Sequence, residues 1–60
     1  MNKQTFSATL FFRPGDKRPR KYRNISNVQN FMIFATKINT WYINWYDQKS
    51  GKFTKRQYLM

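Results

Sequence analysis

The chain holds two carboxylates, Asp16 and Asp47, and no His, Cys or Glu. The side chains that most enzymes use as general base, activated nucleophile or zinc ligand are therefore missing. Each aspartate stands near a glycine, in RPGD and in DQKSG, where a turn-forming role accounts for it. Two carboxylates can share a Mg²⁺ only if the fold brings them together, and separate turns argue against that. Gly15 and Gly51 are isolated, so no glycine loop cradles a phosphate. The expectation is a chain that is not an enzyme and needs no metal or cofactor.

The chemistry that is present is cationic and aromatic. Twelve Lys and Arg give a net charge of +10 and a pI near 10.6, and aromatic residues make up 20% of the chain. No fold requires such an imbalance, and self-repulsion opposes compactness. An excess of one sign points to a partner of the other: nucleic acid first, then an acidic protein surface or an anionic membrane. The densest run is RPGDKRPRKYR, residues 13–23, where six of eleven residues are cations and only Asp16 opposes them. Burying these cations unpaired would carry a large desolvation cost. The run must face solvent or something negative, and a solvated hairpin loop is the plain alternative to a binding role.

Sixty residues make one small domain, expected to span 1–60 with residues 1–4 as a loose end. Folding at this size hides only about 60% of the unfolded chain's surface. The absence of Cys suits a reducing compartment, and no secretory signal or bilayer-spanning apolar run is evident. A cytoplasmic protein is expected, or one in a host cell's cytoplasm if a phage encodes it.

The elements that position the cations follow from periodicity. Residues 5–12 alternate, with Phe6, Ala8, Leu10 and Phe12 facing one way and Ser7, Thr9 and Phe11 the other. Pro14-Gly15 signals a turn, and Pro19 cannot donate to a strand ladder. A long loop with pairing from Arg20 predicts a second strand over 20–25. Ser26-Asn27-Val28-Gln29 fits a capping box headed by Ser26. From Val28, the residues Phe34, Ile38, Phe31, Ala35, Val28 and Met32 fill an arc of roughly 160° on a helix, with Asn39 as its stop. Ile33 alone is apolar on the polar side, a candidate homodimer contact.

Residues 40–46, almost all aromatic or β-branched, predict a third strand, and 52–59 a fourth. A three-residue loop flanked by Gln48 and Lys52, with Gly51 in the left-handed position, sets the register. Trp41 then faces Leu59 and Ile43 faces Gln57, while Tyr42, Asn44 and Tyr46 face Tyr58, Arg56 and Thr54. The result is a β-β-α-β-β, α+β domain: two hairpins form an antiparallel sheet with one helix on one face.

On this scaffold Arg13, Lys17, Arg18, Arg20, Lys21 and Arg23 are expected to follow a phosphate backbone. Six to eight cations on B-form DNA imply a salt slope on the order of −5 to −7. Tyr42, Asn44, Tyr46, Lys55 and Arg56 form a companion surface, where Tyr42, Tyr46 and Tyr58 either stack on unpaired bases or pair across strands. The function expected is a small accessory or regulatory nucleic-acid-binding protein, with DNA ahead of RNA. The alternative is an inhibitor or adaptor, of phage or mobile-element type, that docks its basic surface on an acidic site of a host protein. Membrane binding is not expected, because Lys37 is the one cation on the helix's polar face.

Overall fold

The computed structural model describes residues 4–12 and 17–59. Along the chain come β1 (Phe6–Phe11), β2 (Arg20–Ile25), α1 (Val28–Lys37), β3 (Tyr42–Asp47) and β4 (Phe53–Tyr58). This is the β-β-α-β-β order the sequence predicts. The strands form one antiparallel sheet in the order β2-β1-β3-β4. The two aromatic strands join the hairpins at the centre, and the two basic strands lie at the edges. Cations on an edge strand discourage further pairing, so charge and position agree. The Pro14-Gly15 turn and Arg13 lie outside the described residues.

Period two divides β1 as expected. Leu10 sits between Arg20 and Ile43, and Ala8 between Tyr22 and Trp45. Ala8, Leu10, Ile25, Ala35, Ile43 and Trp45 form the buried core, and Phe31, Met32, Ile38 and Leu59 pack against it. Phe31 carries the helix onto the sheet: its ring lies 5.4 Å from Tyr22 on β2 and 5.5 Å from Trp45 on β3, edge to face in both cases. Full burial of a residue as large as Trp45 is worth about 3 kcal/mol in transfer free energy. Its indole Nε1 and the Thr40 hydroxyl are buried without a hydrogen-bond partner, which subtracts from that gain.

The helix ends differ in part from expectation. Asn27, not Ser26, is the N-cap, and its side chain accepts from the Asn30 N–H at 3.1 Å. Asparagine is among the best caps, and starting at Val28 keeps the apolar arc whole. At the other end Asn39 adopts φ 62°. Its N–H donates to the Thr36 carbonyl at 3.1 Å, and the Thr40 N–H donates to the Ala35 carbonyl at 3.1 Å. That pair of bonds is a Schellman motif. Thr40 is committed to it, so β3 begins at Tyr42 rather than at 40.

The β3–β4 loop corrects the predicted one. The Asp47 N–H donates to the Lys52 carbonyl at 2.9 Å, and the Gly51 N–H to the Asp47 carbonyl at 2.7 Å. Four residues, 48–51, therefore connect the strands, with Gly51 at φ 75°. The Asp47 carboxylate accepts from the Ser50 hydroxyl at 2.7 Å and from its N–H at 3.2 Å. These bonds, the hydroxyl's first, hold its pKa below the ordinary carboxylate value. Tyr42, Ile43 and Asn44 keep the predicted partners Tyr58, Gln57 and Arg56, but Tyr46 pairs with Phe53 instead of Thr54. A bulge at Thr54 absorbs the extra loop residue, and the Thr54 hydroxyl donates to the Trp45 carbonyl at 3.0 Å.

A second bulge falls in β2, where register shifts between Phe6 and Ala8 and Asn24 takes φ 61°. The Gln48 side-chain amide closes this end of the sheet by accepting from the Asn24 N–H and donating to Asn24 Oδ1. It ties the β2 edge to the β3–β4 loop across the start of β1.

Asn39 provides a direct test of the helix stop. Left-handed backbone costs a residue with a Cβ about 1–2 kcal/mol, and glycine nothing comparable. Asn39→Ala should lower the unfolding free energy by about 1 kcal/mol and Asn39→Gly should not, as read by urea denaturation followed by circular dichroism.

Candidate nucleic-acid interface

With the helix on one face, the opposite face of the sheet is left uncovered by any element of the described residues. Register arranges it in rows. Lys21, Thr9, Asn44 and Arg56 run across all four strands. Phe11, Tyr42 and Tyr58 form a second row, and Ser7, Tyr46 and Phe53 a third. Alternation from the core-facing Tyr22 puts Arg23 beside Lys21. Phe53 and Tyr58, on the edge strand, are 54% and 55% exposed, enough to leave ring surface open to a ligand.

Tyr42 is the pillar of this face. Phe11 stacks on it from β1, centroids 4.7 Å apart and planes 16° apart. Arg56 lies over the ring from the β4 side, with Cζ 4.7 Å from the centroid. Because β3 separates β1 from β4, the phenol is covered on both sides. Arg56 is held further by its Nε, which donates to Asn44 Oδ1 at 2.9 Å. Tyr58 tilts toward the same group, 5.2 Å from Tyr42. The phenol of Tyr58, with Tyr42 and Tyr46 nearby, raises the Arg56 pKa against a desolvation cost. The guanidinium is charged, stacked and oriented before any ligand arrives.

The structure gathers only part of the predicted set. Lys21, Tyr42, Asn44, Tyr46 and Arg56 share the open face, with Arg23 at its β2 margin. Arg20 and Lys55 do not: they pair with Leu10 and Trp45 and so belong to the helix side of the sheet. Arg20 instead lies 5.6 Å from the Phe12 ring. Lys17 and Arg18 are exposed in the segment before β2. The basic run is thus not one surface, because a strand sends successive side chains to opposite faces. Tyr42, expected to stack on a base, is packed by Phe11 and by Arg56 within the protein itself.

Phe53 was not among the residues expected to act. Its ring packs 5.7 Å from Tyr46 while staying half exposed. The only signal for it was the loop length: a four-residue connection, not three, turns Phe53 rather than Thr54 toward Tyr46. Among the described residues no group of three His, Cys, Asp or Glu could hold a metal, and no helix is long and apolar enough to cross a membrane.

Pillar and contact rings separate in a stability measurement. Tyr42→Ala removes a half-buried ring with its contacts to Phe11, Trp41 and Tyr58 and to the Arg56 guanidinium, a loss of about 2 kcal/mol. Phe53→Ala gives up one contact and mostly exposed surface, about 0.5 kcal/mol. Chemical denaturation of the two variants should show that order. Comparison with protein-family models, curated proteins and solved structures finds no match for this chain, so its function is read from the residues and their geometry alone.

Proposed function

We propose that this protein is a non-catalytic nucleic-acid-binding module that holds a single strand across the open face of its sheet. The observation that carries the reading is the exposed ring–cation–ring strip of β4, Phe53, Arg56 and Tyr58, in a chain of net charge +10. Exposed rings beside a fixed cation suit unpaired bases, each stack being worth roughly 1–3 kcal/mol. In a duplex those base faces are hidden. The cations also favour a strand over a duplex: Lys21 and Arg56 stand about 14 Å apart, three strand spacings, with Thr9 and Asn44 between them. Bases would lie over β3 and β4 while the backbone passes toward Lys21 and Arg23.

Fluorescence anisotropy with a labelled 12-nucleotide DNA strand, its duplex and the matching RNA tests this. The single strand should bind more tightly than the duplex. Three to five phosphate contacts at a slope of about −0.7 each give a log–log salt slope of about −2 to −4 between 50 and 200 mM. A duplex that binds more tightly, with a slope steeper than about −5, would overturn the single-strand reading. Failure of every oligonucleotide to bind would turn attention to an acidic protein as the partner.

A further inference from the structure

The charge and rings of the open face suit any strand, but they do not explain why Arg56 is fixed by both a hydrogen bond and a ring. Lys21 and Arg23 are exposed on β2, and such mobile charges suit phosphates, which demand no orientation. Arg56 has its Nε committed to Asn44 Oδ1 at 2.9 Å and its plane laid over Tyr42 at 4.7 Å. These two contacts restrict the rotamer freedom of a long side chain in advance. Pre-payment of that kind favours a ligand with directional acceptors.

We infer that Arg56 reads guanine. This rests on the single-strand reading above and deepens it. With Nε occupied, the donors left to Arg56 are those of its terminal Nη groups, a fork of fixed separation. Such a fork matches two adjacent acceptors, and O6 with N7 of guanine is the base edge that supplies them. Adenine places a donor beside N7, and thymine holds an N–H between its two carbonyls. Cytosine pairs N3 with O2 on the edge a single strand leaves open, but its one ring gives a ring of the stacking row less surface than the two rings of guanine. A phosphate also offers two acceptors, but the guanidinium is layered on a ring of the stacking row. A base that stacks on the half-exposed Tyr58 or Phe53 brings its edge to that row, whereas its phosphate lies outside the stack. The uncovered sheet face leaves room for a purine.

Three 12-nucleotide strands of thymidine, each with one central substitution, provide the test: guanine, inosine or 7-deazaguanine. Inosine keeps O6 and N7, while 7-deazaguanine loses N7 alone. The guanine and inosine strands should bind about tenfold more tightly than the 7-deaza and all-thymidine strands, the discrimination of one bidentate pair. Arg56→Lys keeps the charge but not the fork, so the ratio of guanine-strand to 7-deaza-strand affinity should fall below about twofold. The modified strands probe the intact protein, so the test stands even if the variant folds poorly. Equal binding of the guanine and 7-deaza strands would overturn the guanine assignment and leave the single-strand reading standing. Loss of binding to all four strands would remove both.

Discussion

The edge of Phe31 against Trp45 is the contact on which the molecule depends. One ten-residue helix must cover a sheet of four strands, and Phe31 lets it do so by touching β2 and β3 at once over the small Ala8. Larger side chains at Ala8 or Ala35 would lift the helix and break that double contact. Both are almost fully buried, and close packing leaves no slack for them.

One helix seals one face, and the other face follows from that shortage. Among the described residues no second layer covers Phe11, Tyr42, Tyr46, Phe53 and Tyr58. The chain manages exposure by stacking its rings on one another and on Arg56, so the central rings are consumed by structure. On the described part of this face the most exposed rings are Phe53 and Tyr58, on the edge strand. The same arrangement that limits apolar exposure therefore also fixes a guanidinium against Tyr42.

Much of this was legible from periodicity. The alternation of residues 5–12 set the faces of β1, and the helical arc from Val28 named the residues that reach the core. Asn39 was readable as the helix stop because few residues with a Cβ accept positive φ. What stayed hidden depended on single-residue counts. A four-residue loop and a bulge at Thr54 look, from composition, the same as a three-residue loop without a bulge, yet they decide which of Phe53 and Thr54 faces Tyr46. The choice of Asn27 over Ser26 as cap is equally local, since both residues can accept from the first turn. The largest misreading concerned the basic run. Its density suggested one surface, but strand geometry sends Arg20 to the helix side and Lys21 to the open side.

On this proposal the uncovered sheet face, and not the basic run as a unit, holds the nucleic acid. Amide and aromatic shift mapping by NMR with an unlabelled single-stranded oligonucleotide tests this most directly. Shifts are expected at Tyr46, Phe53, Arg56 and Tyr58, with Lys21 and Arg23 following and the exposed Ile33 on the helix unchanged. Shifts confined to Lys17 and Arg18, or centred on Ile33 and Phe34, would contradict it.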